Sequence, residues 1–222
     1  MTIPRQSWCR NPAPSSPHPF FIQLAATAFD PGRTLSRSEV RRRAKGRDIG
    51  SGRVDKLVDA GLLPTVKVAK YADLRIPEAA IEQILALPAL TRDDVRDLNA
   101  VVIAAAGVQY PQDDSDIDRA CYGCHANMSR QALIMGSTAA WRTSKKSADS
   151  VERIICGIGG LAFLRDSVWD TVDFGPDDDG THRFGWRPEL ADPDAAMTPV
   201  LLPLPTSWAG SVTYSDTNYT DR

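Results

Sequence analysis

The residues best suited to metal or covalent chemistry lie in one short segment, Cys121-Tyr122-Gly123-Cys124-His125. Its C-x-x-C-H spacing matches the attachment site of c-type haem, but covalent haem requires export, and the N-terminal residues show no apolar signal segment. Zinc is the alternative, because Cys121, Cys124 and His125 offer thiolate and imidazole ligands. A closed zinc site needs four ligands, however, and only one cysteine pair is local. The sequence therefore favours ordinary buried thiols and assigns no cofactor.

A group of carboxylates in the second half offers a different chemistry. Asp166, Asp170, Asp173 and residues 177–179 could hold a divalent metal ion for phosphodiester cleavage. The run at 177–179 is better explained as turn residues in a solvated loop. A nucleic-acid-cleaving enzyme of restriction type is thus the alternative function, and a pairing of Cys124 with His182 as nucleophile and base is a further option. No catalytic residue is assigned.

Composition bounds the class of protein. The chain has 222 residues, of which 42% are hydrophobic and 24% charged, which is typical of a globular protein. No apolar run is long enough to span a membrane, and four cysteines in a chain of this length do not make a disulfide framework. We therefore expect a cytoplasmic protein with reduced thiols and no membrane partner.

Positive charge is concentrated in residues 33–76. This segment holds 12 Lys or Arg and 5 Asp or Glu, a net charge of +7, whereas the whole chain carries −2. A basic segment within an acidic protein is typical of a nucleic-acid contact surface. Three adjacent arginines, Arg41 to Arg43, point in different directions on a helix, so the interpretation depends on the whole set.

The elements that would position this charge are short helices and a hairpin. Residues 1–19 contain five prolines and are predicted to be a disordered arm. A helix is predicted from Phe20 to Phe29, and Ser36 with Glu39 forms a capping-box pattern that starts a second helix ending near Lys45. A third helix is predicted over 51–60, ended by Gly61. Val66 to Ile76 alternates as a hairpin, and a fourth helix follows Pro77.

This order of elements resembles the winged helix-turn-helix of phage excisionases and MerR-type regulators over about residues 33–87. The motifs that carry the resemblance are SRSEVRRRA, GRVDKLVDAGLLP and VKVAKYADLRIPEAAIEQIL. In such proteins the second helix of the motif enters the major groove and the wing lies along the backbone. The resemblance therefore implies a DNA-binding domain over 20–90.

The resemblance also implies which residues touch DNA. The second helix would place Ser51, Arg53 and Lys56 near base edges, with Arg53 pairing to guanine. The wing would contribute Lys67, Lys70 and Tyr71. The remaining members of the predicted set would neutralise phosphates, and they are Arg41, Arg42, Arg43, Lys45 and Arg47.

The second half, residues 99–190, is predicted to be a small α+β domain. Residues 99–109 suit either a buried strand or a helix, and 129–141 suit a helix. Strands are predicted at 153–158, 161–169 and 181–186, with Gly159-Gly160 as a tight turn, so that they form an antiparallel meander. The arrangement of tryptophans, the Gly-Gly hairpin and Phe184-Gly185-Trp186 is similar to small PUA-like or ASCH-like barrels that bind nucleic acid. Residues 191–222 are predicted to be a flexible tail.

Together these patterns predict an α+β protein that binds double-stranded DNA in a sequence-specific manner. The resemblance to excisionases implies a role in transcription regulation or DNA recombination, as an accessory factor of a mobile element. The second half is expected to mediate a homodimer or contact a protein partner. A pure protein-interaction module is a further option, because winged helices also serve as protein contacts.

Overall fold

The structure, a computed structural model, describes residues 17–45, 51–68, 73–105, 123–138, 141–177, 179–203 and 212–219. In chain order the elements are α1 (Pro19–Ala26), β1 (Thr34–Leu35), α2 (Arg37–Ala44), α3 (Ser51–Asp59), β2 (Val66–Lys67), β3 (Leu74–Pro77), α4 (Glu78–Leu85), α5 (Arg92–Arg96), β4 (Ala100–Ala104), α6 (Arg130–Thr138), β5 (Trp141–Arg142), α7 (Lys145–Asp149), β6 (Arg153–Ile158), β7 (Leu161–Pro176), β8 (His182–Pro188), α8 (Pro193–Ala196), β9 (Val200–Leu201), β10 (Val212–Tyr214) and α9 (Ser215–Asn218). None of the helices in the described part of the chain has both the length and the apolar character needed to cross a bilayer.

The local signals in the first half produce the helices that they predict. The Ser36 hydroxyl accepts a hydrogen bond from the Glu39 N–H at 3.3 Å, and the Glu39 carboxylate accepts one from the Ser36 N–H at 2.6 Å, so the capping box of α2 is complete. Gly61 follows α3 with a φ of 68°, the left-handed conformation that ends helices. β2 and β3 pair as an antiparallel hairpin, and β1 adds a strand on the other side of β3 that the sequence did not predict.

The larger sheet has the strand order β10-β4-β6-β7-β8-β5, with β9 paired to β7. Among the described strands, β4 and β6 are parallel and the other pairs of this sheet are antiparallel. Residues 100–104, which suited either a strand or a helix, form β4. Its side chains Val101, Val102 and Ile103 are buried because apolar residues cover both faces of the sheet. The predicted α+β class is confirmed.

The predicted meander is present as β6, β7 and β8. Gly159 and Gly160 connect β6 to β7 with φ angles of 57° and 83°, as a two-residue hairpin turn requires. β7 continues well beyond its predicted end at Trp169, and its pairing with β8 shifts register after Val168 and after Asp173. Such irregularities bend a long strand, so its two ends contribute to different parts of the molecule.

The segment predicted as a flexible tail contains strands of the larger sheet. Leu201 in β9 pairs with Leu161, Val212 in β10 pairs with Ile103, and Tyr219 is 2% exposed. The tail prediction is therefore wrong for the described residues of this segment. Proline-rich spacing suggested a solvated chain, but the apolar residues between the prolines pair with strands that are distant in sequence.

One continuous cluster of buried residues joins the helices of the first half to the sheet of the second. Leu57 of α3 and Ile158 beside the Gly-Gly turn both belong to this cluster. A second cluster, which includes Val102, Ile155 and Tyr219, covers the other face of the sheet. The two segments predicted as separate domains, 20–90 and 99–190, therefore share a core.

Candidate nucleic-acid interface

α2 presents a row of exposed basic side chains. Val40 and Ala44 are buried in the core, and the remaining surface of the last turn and the C-cap is basic. We call the four exposed residues Arg41, Arg42, Arg43 and Lys45 the α2 ridge. Cations are favourable here because the C-terminal end of a helix carries partial negative charge.

Two members of the α2 ridge are paired with carboxylates of neighbouring helices. Arg41 Nη2 lies 2.7 Å from Asp55 Oδ2 in α3. Arg43 lies 3.0 Å from Glu82 Oε1 and also contacts Glu78, both in α4. Within the described residues, Arg42 and Lys45 make no ion pair. The α2 ridge is thus half compensated and half available to an anionic partner.

The other arginines of the first half follow the same pattern. Arg37 pairs with Asp55 at 3.1 Å, Arg33 with Glu78 at 3.4 Å, and Arg75 with Glu39 at 3.5 Å. Exposed pairs of this kind contribute only about 0–1 kcal/mol each. Hydrogen bonds from Ser36 lower the pKa of the Glu39 carboxyl, which keeps it ionised beside Arg75. Across residues 33–45, 51–68 and 73–85, ten Lys or Arg still outnumber six Asp or Glu.

Arg53, predicted to read base edges, is engaged within the protein. Its guanidinium donates to the carbonyl oxygens of Leu202 at 2.9 Å and Pro203 at 3.3 Å. The Gly-Gly turn lies directly against it, because a Cβ on Gly160 would be 2.2 Å from Arg53 Nη1. Pairing of Arg53 with guanine stays a prediction, and the donors that the structure describes are directed at the C-terminal segment.

The exposed face of α3 does not suit a phosphate backbone. Gly52, Lys56 and Asp59 are exposed, and Asp55 beside them is half-buried. Two carboxylates thus accompany one ammonium group on the face that the resemblance directs into a groove. Ser51 is the first residue of α3. The predicted recognition helix is therefore close to neutral on its solvent side.

The β2–β3 hairpin carries the remaining predicted contact that the structure describes. Lys67 is exposed, and Val68 and Leu74 beside it are 65% and 45% exposed. Arg47, Lys70 and Tyr71 lie outside the described residues.

The candidate zinc ligands do not converge in the described structure. Cys124 is completely buried beside Cys156, and desolvation raises the pKa of its thiol to about 12. The His125 ring packs over Gly61, where a Cβ would lie 2.9 Å from Nε2, and its Nδ1 accepts a hydrogen bond from the Asn127 N–H. Cys121 lies outside the described residues. Among those residues no group of three or more His, Cys, Asp or Glu is placed to hold a metal ion.

The carboxylates considered for metal-dependent cleavage are each engaged with a different partner. Asp166 accepts hydrogen bonds from the N–H groups of Ser167 and Leu190, which makes it a local structural residue. The charged partners are Arg187 for Asp170, His182 for Asp173, Arg142 and Arg183 for Asp177, and Arg142 for Asp179. Cys124 is buried whereas His182 is exposed on Asp173, so these two residues do not form the nucleophilic pair considered from the sequence.

Comparison of this chain with protein-family models, curated proteins and solved structures gave no match. What it binds is therefore inferred from its own side chains.

The tertiary contacts of α3 were not detectable from the sequence. Gly159-Gly160 was identified as a turn, but nothing in its pattern indicates that α3 packs on it. The acceptors of Arg53 are backbone carbonyls, which carry no signal in the residue type. The exposed α2 ridge, by contrast, follows from helical periodicity, since burial of Val40 and Ala44 leaves Arg41, Arg42 and Arg43 on the outer surface.

Proposed function

We propose that this chain binds double-stranded DNA through the α2 ridge and Lys67 of the hairpin. The observation that carries the proposal is the exposure of four basic side chains in five residues of α2 and its C-cap. Phosphate oxygens are the partner expected for such a concentration of exposed positive charge, because basic side chains displace the counterions condensed on the duplex.

The ion pairs of the α2 ridge are compatible with this function. A guanidinium has five N–H donors, and the hydrogen bond of Arg41 to Asp55 comes from one of them, on Nη2. The remaining donors can reach a phosphate while Asp55 holds the side chain in place. Partial compensation by carboxylates also means that the salt dependence is smaller than the number of arginines suggests.

The proposed docking is directed at the DNA backbone. Contacts to phosphates position a protein on DNA, whereas contacts to base edges supply sequence discrimination. The α2 ridge supplies the first kind, and α3, with Arg53 engaged and two carboxylates on its outer side, is not assigned the second. A backbone-binding chain of this type suits an accessory factor in DNA recombination or transcription regulation.

Fluorescence anisotropy with a labelled random duplex, over a series of salt concentrations, tests this proposal. We expect Arg42→Ala/Lys45→Ala to weaken binding on every sequence and to reduce the slope of log K against log salt by about two, since each lost phosphate contact removes about 0.9. These two side chains are chosen because neither is paired within the described structure, so their removal leaves the fold unchanged.

The matched control is Lys146→Ala/Arg153→Ala, which removes two exposed cations outside the basic segment 33–76. This variant should bind as the unaltered chain does. Equal losses from both double variants would mean that only overall charge matters, and an unchanged affinity after loss of Arg42 and Lys45 would refute the proposed interface.

A further inference from the structure

An open cleft in the second half of the chain is not used by the proposed DNA interface. It has a volume of about 600 Å³ and lies between the segment that follows β5 and the facing ends of β7 and β8. Arg142, Lys145, Asp173, His182 and Phe184 contribute to its lining. Its size is that of a small-molecule site.

His182 lines this cleft with one ring nitrogen held against a carboxylate. Its Nδ1 lies 3.2 and 3.1 Å from the two carboxylate oxygens of Asp173. Desolvation alone would raise the pKa of Asp173, but a hydrogen bond from the Gly175 N–H and the contact with His182 bring it below its usual value. An ionised carboxylate only accepts, so Nδ1 donates, and in a ring that carries a single N–H the lone pair is then on Nε2.

The plane of the His182 ring is held by an aromatic contact. The rings of His182 and Phe184 are nearly parallel, with an interplanar angle of 22° and a centroid separation of 6.1 Å. Phe184 is buried, whereas the His182 side chain is 48% exposed. Phe184 therefore fixes the plane and Asp173 fixes the rotation, which leaves Nε2 as the polar atom open to a ligand.

Arg142 supplies a flat surface on the same cleft. Its Nη2 lies 2.8 Å from Asp177 and its Nη1 lies 3.1 Å from Asp179, so two carboxylates hold the guanidinium in one orientation while 57% of the side chain stays exposed. A planar guanidinium held in this way is a stacking surface for an unpaired base.

The charges around the cleft are already compensated. Arg142 is paired with Asp177 and Asp179, and Lys145 lies 2.9 Å from Asp149. An anionic ligand would have to compete with these carboxylates for the same cations. An uncharged ligand meets no such competition, which argues against a phosphate as the recognised group.

We propose that this cleft binds an uncharged nucleobase that carries a ring N–H, with the base stacked on Arg142 and its N–H donated to His182 Nε2. Uracil and guanine have such a group, and the base could belong to a free nucleoside or to an unpaired nucleotide of a strand. The site is separate from the α2 ridge and does not depend on the proposed DNA docking.

The proposed base binding is tested by titration of the full chain with uridine and guanosine. Binding is measured by calorimetry and by the Cε1–H signal of His182 in NMR spectra. The chain has 3 histidines, so comparison with His182→Phe assigns the signal. We expect saturable binding of at least one nucleoside with a shift of that signal. Uridine methylated at N3 and guanosine methylated at N1 should bind about tenfold more weakly, the loss expected when one hydrogen bond to the acceptor is removed.

Variants separate the two contacts. His182→Phe retains an aromatic ring against Phe184 but lacks the acceptor, and Arg142→Lys retains charge but lacks the planar surface, so both should lose binding. His182→Gln should recover part of it, because its amide oxygen can accept. Lys146→Ala is the control, and thermal unfolding of each variant verifies that it folds.

Two further ligands test whether a phosphate adds to the affinity and whether the base belongs to a strand or to a free nucleoside. Uridine monophosphate should bind no more tightly than uridine. Single-stranded oligouridine that competes with uridine would identify the source as an unpaired base in a strand, and failure to compete would identify the free nucleoside. The proposal would be overturned if neither nucleoside bound saturably, or if the methylated forms bound as tightly as the unmethylated ones. It would also be overturned if uridine monophosphate bound more tightly than uridine and did so in Arg142→Lys as well. Arg42→Ala/Lys45→Ala should leave nucleoside binding unchanged, so the two proposals fail independently.

Discussion

α2 and α3 are adjacent helices of the same basic segment, yet their arginines serve different purposes. The arginines of the α2 ridge are exposed, and two of them, Arg41 and Arg43, pair with side-chain carboxylates. Arg53 in α3 is half-buried and donates to two backbone carbonyls of the C-terminal segment. The sequence therefore gives the number of basic residues in a segment, whereas the packing decides which of them remain accessible to a partner.

The arginines of α2 and α3 differ in accessibility because the two helices differ in how many of their sides pack against the rest of the protein. α2 packs on the core through Val40 and Ala44 and leaves its outer surface to solvent. α3 buries Val54 and Leu57, and it also receives the Gly-Gly turn against Arg53 and Leu57. When a helix is covered on two sides, fewer of its polar side chains reach solvent, and they form hydrogen bonds with neighbouring backbone groups.

The packing of the Gly-Gly turn on α3 is disrupted most directly by a substitution at Gly159. A Cβ here would lie 2.6 Å from Arg53 O and 2.7 Å from Leu57 Cγ, and the residue has a φ of 57°. We expect Gly159→Ala to lower the free energy of unfolding by about 2–4 kcal/mol, because overpacking against backbone adds to left-handed strain. Urea denaturation measures the change.

Gly180→Ala is the matched control for this prediction. Gly180 has a φ of 78° but no atom within 4 Å of its Cβ position, so only the conformational strain of about 1–2 kcal/mol applies. Similar losses at the two glycines would show that the Gly-Gly turn does not pack on α3 as described.

Arg53→Ala sharpens the contrast between the helices. Loss of two hydrogen bonds from a charged donor to carbonyls should lower the free energy of unfolding by about 1–3 kcal/mol. The duplex affinity of the folded fraction should not change, whereas Arg42→Ala should show the reverse pattern. If Arg53→Ala reduced affinity for one duplex but not for a scrambled one, base recognition by α3 would be restored and the contrast would be lost.

The smallest change in duplex affinity is expected for Asp55→Asn. This variant tests how far the Asp55 carboxylate neutralises the positive charge of the α2 ridge. The change removes the carboxylate that pairs with Arg37 and Arg41. Stability should change by less than about 1 kcal/mol, as for other exposed pairs, while duplex affinity should increase and its salt dependence should steepen. Asp149→Asn on α7 removes an exposed carboxylate paired with Lys145 and serves as the control. A decrease in affinity with Asp55→Asn would mean that ordering of Arg41 matters more than its charge.

Local elements of the fold were predictable where the signal is local. The capping box of Ser36 and Glu39, the helix end at Gly61 and the turn at Gly159-Gly160 all depend on residues within a few positions of each other, and the structure has all three. β9 and β10 were missed, because their partners in β7 and β4 are far away in the chain and their own sequences are only two and three residues long.

The candidate sites were predictable to different degrees. Exposure of Arg42 follows from the burial of Val40 and Ala44 on the opposite face of α2, so helical periodicity was sufficient. The cleft at His182 depends on β7 and β8 bringing Asp173 beside it and on Arg142 arriving from β5, which no spacing in the chain reveals.

The sequence by itself determined the helices of the first half, the turn at Gly159-Gly160, the α+β composition and the excess of positive charge on residues 33–76, because capping, periodicity and glycine conformation act over a few residues. Only the tertiary structure decided that Arg53 faces the C-terminal segment, that the two halves share a core, and that Asp173, His182 and Arg142 line one cleft. The physical reason is that burial and hydrogen-bond partners are set by contacts between residues distant in sequence, and such contacts leave no trace in local pattern.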